Sequence, residues 1–489
     1  MGTVWVPVVV RPGYPSVNPT HSARRAGTHG HAPGGGLRPG PVGRRLARTG
    51  VRWGTVAQAS EPRSPFTDRE GDRALPAGRA LQAVRGLSPE DLNRLLSEAL
   101  DGTGPALLPV PDGTPDARVD ALLAAMRPSS LRTPDGITDL AGGAPVGSDA
   151  ALLITTSGST GQPKGVELSA AALLASARAS VARIGAAPGD SWLCVLPAGH
   201  ISGMQVMMRA IVTGTEAVHA AFDVDAVLEL AHGLRPHVSL VPTQLRRLLT
   251  AGADLRVFGT ILLGGAAAEP SLLEEARAAG GRVVTTYGMS ETCGGCVYDG
   301  VPLDGTLVRI ARPAGSEDPE EPGRVLLGGP GLLTDYRLPP GACLEGIRAA
   351  SEDEAGLAVD SDGNRWLHTN DLGRVDAEGR LRVLGRMDEV VNTGGHKVVP
   401  GQVNAILAAH PEVAESVVVG RPDPEWGERV SAVVVPTDPE APPTLAALRA
   451  WVRERLPAYA APRELDLRPA LPMLASGKPD LVALRRPRS

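Results

Sequence analysis

Three lysines stand out as residues that could do chemistry, because the chain otherwise uses arginine for its positive charge. Of the 49 Lys and Arg residues, only Lys164, Lys397 and Lys478 are lysines. The lysine ammonium is a compact point cation with mobile donors, and it is well suited to meet phosphate. The three positions are therefore the first places to look for a site that handles anions.

The segment TTSGSTGQPKGV, residues 155–166, has the composition of a polyphosphate-binding loop. Its glycines let the backbone turn tightly and approach a ligand, while N–H groups, hydroxyls and a lysine suit phosphate oxygens. It is not a Walker A loop, because Pro163 precedes Lys164. We expect the loop to follow a strand and to precede a helix; a flexible loop without a ligand is the alternative. The candidate ligands are Thr156, Ser157, Gly158, Ser159, Thr160, Gly161 and Lys164.

Five motifs, taken in order, resemble those of the adenylate-forming enzymes, which include acyl-CoA synthetases, peptide-synthetase adenylation domains and luciferases. They are TTSGSTGQPKGV, YGMSET, HTNDLGRVD, GRMDEVVNTGGHKVVP and SGKPD, which together span residues 155–480. The resemblance implies an enzyme that uses ATP and Mg²⁺ to adenylate a carboxylic acid and then transfers the acyl group to CoA.

The resemblance also implies the role of each motif residue. Attack of a carboxylate on the α-phosphate of ATP brings two anions together, so cations and fixed donors must offset the charge. Lys478 is expected to bridge the two groups, Glu291 to hold Mg²⁺, and Thr292 to bind phosphate oxygens. The other nucleotide-binding residues implied are Gly264, Gly265, Tyr287, Gly288, Met289, Ser290, Asp371 and Arg386.

The C-terminal motifs imply a rotation of the small domain between two half-reactions. Asp388 is the expected pivot, and Lys478 is presented only for adenylation. In the second pose, Gly394 and Gly395 are expected to leave room for the pantetheine arm of CoA, with Lys397 near its phosphate. Such alternation is a hinge-type domain motion.

The acyl pocket is expected around the segment LPAGHISGMQ, with His200, Gly203 and Gly265 lining it. The segment YGMSETCGGCVYDGVPLDG resembles the o-succinylbenzoate–CoA ligases, which act in menaquinone biosynthesis. A second carboxylate on the substrate calls for a cationic partner, and Arg209 and Arg246 are the candidates. The alternatives are an aryl- or fatty-acid–CoA ligase, an enzyme that loads a carrier protein, or a non-catalytic nucleotide-binding homologue.

The pair Cys293-x-x-Cys296 has a spacing that permits a metal or a redox couple. A zinc site needs about four ligands, and no second pair of this kind occurs in the sequence. We therefore interpret the two cysteines as small residues that line the acyl pocket.

The elements that must position these residues alternate between apolar strands and amphipathic helices, which predicts an α/β fold. We expect a large N-terminal domain over residues 80–387, with mostly parallel sheets flanked by helices and a small β-rich subdomain after residue 300. Residues 388–489 are expected to form a small mobile α+β domain. Ser88 and Ser169 are predicted N-caps of helices, and Gly185 and Pro270 are predicted to mark a helix end and a helix start.

Composition narrows the partners and the compartment. The net charge of −5 gives no positive electrostatic field that would attract nucleic acid or an anionic membrane. No apolar run reaches the ~18 residues of a spanning helix. Four cysteines are too sparse for a disulfide scaffold and favour the cytoplasm. A homo-oligomer is left open.

The first 75 residues contain no acidic residue before Glu61 and are rich in Arg, Gly and Pro. Such a segment cannot bury enough apolar surface to fold alone. We expect residues 1–75 to be a disordered leader or the result of a start site assigned too far upstream, with a transit peptide as the alternative.

Overall fold

The computed structural model describes residues 78–157, 163–312, 318, 321–342, 354–473 and 479–486. The predicted leader lies outside them. The helices are α1 (Pro89–Asp101), α2 (Asp116–Met126), α3 (Ala170–Ile184), α4 (Ile201–Val212), α5 (Val224–Leu234), α6 (Pro242–Thr250), α7 (Pro270–Ala278), α8 (Pro400–Leu407), α9 (Leu445–Arg453) and α10 (Leu481–Arg485).

The strands are β1 (Leu81–Val84), β2 (Ala106–Pro109), β3 (Ser130–Thr133), β4 (Gly136–Asp139), β5 (Ala150–Ser157), β6 (Pro163–Ser169), β7 (Trp192–Cys194), β8 (Ala217–His219), β9 (His237–Leu240), β10 (Ile261–Leu263), β11 (Val283–Met289), β12 (Gly294–Tyr298), β13 (Val301–Pro302), β14 (Leu307–Ala311), β15 (Gly323–Gly328), β16 (Asp335–Arg337), β17 (Gly356–Val359), β18 (Arg365–Val375), β19 (Leu381–Arg386), β20 (Val391–Thr393), β21 (His396–Val398), β22 (Val413–Asp423), β23 (Gly427–Pro436) and β24 (Glu464–Leu467).

Two large sheets contain the strands between Leu81 and Pro302, and β16 joins the first of them. One has the order β16-β6-β5-β2-β1-β3-β4, and the other has the order β13-β12-β11-β10-β9-β7-β8. The central pairs are parallel in both, including β1 with β2 and β10 with β11, while antiparallel strands lie at both ends of the first sheet and at the β13 end of the second. The predicted mostly parallel architecture is confirmed.

Both faces of the second sheet are buried, which explains why its strands are continuously apolar. Leu193 and Leu263 pack on one face with helices α5, α6 and α7. Trp192 and Leu262 pack on the other face with α3 and α4. The alternation along each strand follows from successive side chains pointing to opposite faces.

The predicted helix caps are confirmed. The hydroxyl of Ser88 accepts a hydrogen bond from the Asp91 N–H at the start of α1, and Ser169 caps α3 in the same way. Gly185 ends α3 in the left-handed conformation, with φ of +67°. Pro270 is the first residue of α7.

The phosphate loop differs from the prediction in one respect, because it joins two strands rather than a strand and a helix. Residues 163–169 form β6, which pairs antiparallel with β5 and carries Lys164 opposite Thr156. Helix α3 begins only after that strand. The reason is that Val166 and Leu168 are apolar side chains buried in the sheet; the predicted helix N-terminus therefore does not follow the loop directly.

The remaining strands form two smaller sheets. The third has the order β14-β15-β18-β17 with β19 added to β18, and it is the predicted β-rich subdomain. The fourth has the order β21-β20-β23-β22 with β24 added to β23. Its strands enclose a separate apolar core between Val391 and Ala461, and on this basis we propose the small C-terminal domain that begins at Asp388.

No helix among the described residues is long and apolar enough to cross a membrane.

Candidate active site

The carboxyl ends of β10 and β11 in the second sheet bring the nucleotide motifs together, at the edge where parallel sheets bind ligands. Gly264 and Gly265 follow β10 directly. A side chain at Gly264 would collide with Thr286, and Gly265 has φ of +83°. Both positions therefore require glycine, and they leave backbone exposed beside the next strand.

Glu291 is the centre of a buried charge cluster. The residue is buried, with only 8 % of its surface exposed. Oε1 accepts hydrogen bonds from Lys164 Nζ at 3.0 Å and from the Tyr336 hydroxyl at 3.1 Å. Lys164 Nζ also lies 4.4 Å from the centre of the Tyr336 ring. The structure thus brings the phosphate-loop lysine into contact with the motif carboxylate, 127 positions away in the sequence.

The cluster has the chemistry of a magnesium site that the substrate completes. Mg²⁺ is commonly held by one or two carboxylates together with substrate phosphates and water. Glu291 supplies such a carboxylate, and both hydrogen bonds from described residues reach only its Oε1. Burial and the nearby Glu291 charge raise the pKa of the Tyr336 hydroxyl, which therefore remains a donor.

Thr292 holds the turn that presents Glu291. Its hydroxyl accepts from the Met289 N–H at 3.0 Å and donates to the Gly294 carbonyl at 2.7 Å. Residues Ser290–Thr292 form a single 3₁₀ turn, and a side chain at Gly288 would collide with the Gly294 backbone. In this conformation the Thr292 hydroxyl is therefore engaged by the backbone, and its contact with phosphate stays a prediction.

The ribose-binding carboxylate predicted at Asp371 is tied to two other motifs. The Tyr287 hydroxyl donates to Asp371 Oδ2 at 2.6 Å, and Arg386 Nη1 lies 3.6 Å from Oδ1. Burial and the Asp371 charge raise the pKa of Tyr287, which keeps the phenol protonated. Arg386 in turn forms a bidentate pair with Asp388, at 2.9 and 2.8 Å. The predicted hinge residue and the ribose site therefore share one guanidinium.

The phosphate loop is described only at its two ends. Thr156 and Lys164 face each other across β5 and β6, and the Thr156 hydroxyl is buried without a hydrogen-bond partner among the described residues. Such a hydroxyl is a suitable donor for a phosphate oxygen. Outside the described residues lie Gly158, Ser159, Thr160, Gly161 and Lys478, and the side chain of Ser157 is not described either.

Helix α4 and its N-cap carry the residues that the sequence predicts for the acyl pocket. His200 is its N-cap residue. Gly203 packs against the backbone of Leu196 and Pro197, where a side chain would collide, so packing alone already requires this glycine. Its predicted role in the pocket, like that of His200, stays a prediction.

Arg209 is a buried cation that is surrounded by hydroxyls. It is 5 % exposed. Its guanidinium donates to Ser180 Oγ at 2.8 Å, to Ser239 Oγ at 3.2 Å and to the Tyr298 hydroxyl at 3.3 Å. None of these described partners carries a negative charge. A buried charge is normally paired with an opposite one, so this site calls for an anionic ligand.

Arg246, the other candidate for a distal carboxylate, already has a partner. Its Nη2 lies 2.5 Å from Oε2 of Glu269, at the start of α7. The two arginines can therefore be ranked, and Arg209 is the better candidate.

Cys293 and Cys296 are buried, and burial raises the pKa of Cys296 to about 12 and also raises that of Cys293. Buried thiols of this kind are poor nucleophiles and poor metal ligands. Within the described ranges, no cluster of three or more His, Cys, Asp or Glu could hold a metal ion by itself.

The predicted CoA segment lies on the hairpin of β20 and β21. Gly394 packs against Trp426, whose ring a side chain at Gly394 would strike, and its N–H donates to the Trp426 carbonyl at 2.9 Å. Gly395 has open space around it, with φ of +80°. Lys397 is exposed on β21. Packing against Trp426 is therefore a structural reason for glycine at Gly394, and the motif alone did not indicate it.

Several residues of the site were not predicted from the sequence. Tyr336 lies on the short strand β16, which is distant in the sequence from every motif. Nothing in its sequence neighbourhood marks a tyrosine there as functional. The hydroxyls around Arg209 come from three separate elements, and Ser and Tyr are too common to be noticed there.

Two family models match the chain. The AMP-binding enzyme model matches residues 92–337, and the AMP-binding enzyme C-terminal domain model matches residues 402–478.

Relatives with stated activities are similar over most of the chain. A Mycobacterium tuberculosis (strain H37Rv) protein named "Probable 2-succinylbenzoate--CoA ligase" is 41% identical over 421 residues, which are 83% of this chain and 98% of that protein. The feruloyl-CoA synthase of an Amycolatopsis species is 33% identical, over 78% of this chain and 79% of its own. Among solved structures, the o-succinylbenzoate CoA synthetase of Bacillus subtilis in complex with its acyl-adenylate intermediate has a TM-score of 0.63 at 27% identity, over 84% of this chain and 88% of its own.

Proposed function

The chain belongs to the AMP-binding enzyme family, and on that premise we propose that it is an ATP-dependent 2-succinylbenzoate–CoA ligase of menaquinone biosynthesis. It has the adenylate-forming fold and is an AMP-forming acid–thiol ligase that uses ATP, Mg²⁺ and CoA. The observation that carries the choice of acid is Arg209, a buried guanidinium whose described partners are all hydroxyls. 2-Succinylbenzoate has a second carboxylate, which would supply the missing negative charge.

We propose that the first half-reaction takes place between Glu291 and Arg209. The reacting carboxylate attacks the α-phosphate, an acyl-adenylate forms, and pyrophosphate leaves. Mg²⁺, when bound, neutralises charge on the phosphate oxygens, and Glu291 would be its protein ligand. Lys164 would exchange its 3.0 Å contact with Glu291 for a phosphate oxygen, because a phosphate competes for the same ammonium. Tyr336 would keep Glu291 in place during this exchange.

Asp371, Tyr287 and Arg386 would hold the ribose and adenine. Of these, Arg386 is bound to Asp388, so nucleotide binding would draw on the same guanidinium that the hinge residue uses. We propose that rotation about Asp388 then replaces Lys478 with the Gly394–Gly395 face, where the CoA thiol would attack the adenylate and release AMP.

We further propose that the enzyme works in the cytoplasm. The support is its small number of cysteines, of which Cys194, Cys293 and Cys296 are free thiols in the described part of the chain. Such thiols suit a reducing compartment.

The acid is tested by incubating the protein with ATP, Mg²⁺ and a panel of acids, with and without CoA. We expect AMP and a CoA thioester with 2-succinylbenzoate, and little product with benzoate, ferulate or fatty acids. Ferulate belongs in the panel because a feruloyl-CoA synthase is among the relatives. Efficient turnover of ferulate or a fatty acid would contradict the proposal.

The role of Lys478 is tested separately with Lys478→Ala. Loss of its cation should reduce adenylation, measured by ATP–pyrophosphate exchange, by about 10²–10³-fold. Thioester formation from supplied 2-succinylbenzoyl-adenylate should stay close to wild type, because the residue is withdrawn in that half-reaction. An equal loss in both assays would show that Lys478 acts on structure and not on adenylation.

A further inference from the structure

Helix α4 carries a buried amide without a hydrogen-bond partner. Gln205 is 1 % exposed, and neither its Nε2 nor its Oε1 has a partner among the described residues. Leaving such a group buried and unsatisfied costs about 1–3 kcal/mol. Buried polar side chains are normally satisfied, so an exception of this kind needs a reason.

The position of Gln205 suggests what that reason is. It lies four residues before Arg209, and residues spaced by four share one face of a helix. On its other side, its Cγ is the nearest atom, at 3.2 Å, to the place where a side chain at Gly294 would begin. The Gly294 carbonyl accepts the Thr292 hydroxyl. Gln205 therefore shares a helix face with Arg209 and packs beside the turn that follows Glu291.

We propose that Gln205 determines specificity by donating a hydrogen bond from its amide to the ketone oxygen of 2-succinylbenzoate. The assignment rests on the proposed function. In this acid, two methylene groups separate the ketone from the distal carboxylate, and the ketone carbon is bonded to the ring that carries the reacting carboxylate. Four residues rise about 6 Å along a helix, and the ketone and the distal carboxylate are separated by only two methylene groups, so the two groups can reach two side chains at that spacing. A carboxylate on Arg209 thus brings the ketone to Gln205.

The test compares two acids that differ only at this carbonyl. They are 2-succinylbenzoate and 2-(3-carboxypropyl)benzoate, in which a methylene replaces the ketone. We expect wild-type kcat/KM to be about 10- to 100-fold higher for the ketone, because the analogue leaves the amide unsatisfied. Gln205→Leu should lower kcat/KM for 2-succinylbenzoate and not for the analogue, so that the ratio approaches one.

The thermal stability of the ligand-free protein distinguishes this from a structural role. Leucine is similar in size and removes the unsatisfied amide, so the Tm of Gln205→Leu should equal or exceed that of wild type. Gln82→Leu is the matched control: Gln82 is also buried, but its Nε2 donates to Ser130 Oγ at 3.1 Å. That variant should lose Tm and retain the wild-type preference for the ketone.

Two results would overturn the assignment. One is an equal loss of kcat/KM for both acids in Gln205→Leu, and the other is an unchanged preference for the ketone. Failure of the proposed function is seen separately, because wild type would then form no 2-succinylbenzoyl-CoA, and the assignment of Gln205 would fail with it.

Discussion

At the nucleotide end of the site, the Lys164 ammonium lies 3.0 Å from the carboxylate of Glu291, whereas at the acyl end the Arg209 guanidinium is bonded to three hydroxyls. Both cations belong to residues that are proposed to contact ligands. One has an acidic partner within the described protein, and the other has only neutral partners. On the proposed function, ligand binding would therefore exchange ionic partners at one end and supply a missing one at the other.

This difference explains how the same site can bind ATP whichever acid is present and still be selective for one acid. A balanced pair such as Lys164 with Glu291 costs little to keep before ATP arrives. An unbalanced buried cation is costly, and only an acid with a second negative charge relieves it. We therefore expect mutations at the two ends to change different quantities.

Glu291→Gln should have the largest effect, because it removes the proposed metal-binding charge and the partner of Lys164 together. ATP–pyrophosphate exchange should fall by about 10³-fold. The loss should be the same for 2-succinylbenzoate and for any poor acid that the wild type activates. A loss confined to 2-succinylbenzoate would mean that Glu291 acts on the acyl group, and the two ends would not be distinct.

Arg209→Met should have the next largest effect, and it should be selective. Removing one partner of a buried ion pair costs roughly 2–4 kcal/mol. We therefore expect kcat/KM for 2-succinylbenzoate to fall by about 30- to 1000-fold. The activity with benzoate should change little, and the Tm of the free protein should not fall, because an uncompensated charge has been removed.

Arg246→Met is the matched control for Arg209→Met. Its guanidinium is already bound to Glu269, so we expect the preference among acids to remain that of wild type. A selective loss of 2-succinylbenzoate activity in this variant, with none in Arg209→Met, would reverse the ranking of the two arginines.

Tyr336→Phe should have a smaller effect that is confined to the nucleotide end. It keeps the ring beneath Lys164 and removes the hydroxyl that donates to Glu291. Losing a residue that orients a metal ligand weakens metal binding by about 10-fold. Binding of Mn²⁺ in the presence of ATP, followed by electron paramagnetic resonance, should weaken accordingly, and saturating Mg²⁺ should restore most activity.

The control for Tyr336→Phe is Ser129→Ala. It removes another partly buried hydroxyl, which donates to the Leu81 carbonyl at 3.0 Å and not to a residue of the candidate site. Its Mn²⁺ binding should be that of wild type. If both variants lose stability and neither changes Mn²⁺ binding, the Tyr336 hydroxyl has no role in orienting Glu291.

Much of the fold could be predicted because local chemistry determines it. Ser88 and Ser169 cap helices by bonds to residues three positions away, and such short-range patterns are readable in a sequence. The strand over residues 163–169 was missed because the lysine and glycine at its start looked like the end of a loop. Its pairing with β5 depends on burial in the sheet, which no short window reveals.

The candidate site could be predicted only where residues lie in a motif. Glu291, Asp371 and Lys164 were predicted in this way, and the structure brings Glu291 and Lys164 into contact. Tyr336 and the hydroxyls of Ser180 and Tyr298 act through tertiary proximity. Their positions follow from how strands and helices pack, so their roles become visible only in three dimensions.

The hairpin that carries the phosphate loop also sets a rule for insertions and deletions. Thr156 and Lys164 are opposite each other in the register of β5 and β6, and successive side chains on a strand point to opposite faces. One residue inserted between Lys164 and Val166 would turn the lysine away from Glu291, even though every motif residue remained. One residue inserted among 158–162 would leave the pairing of Thr156 with Lys164 intact and would change only the spacing of the predicted phosphate ligands. An insertion in the strand therefore acts on the Lys164–Glu291 contact, whereas an insertion between the strands acts on the predicted phosphate contacts.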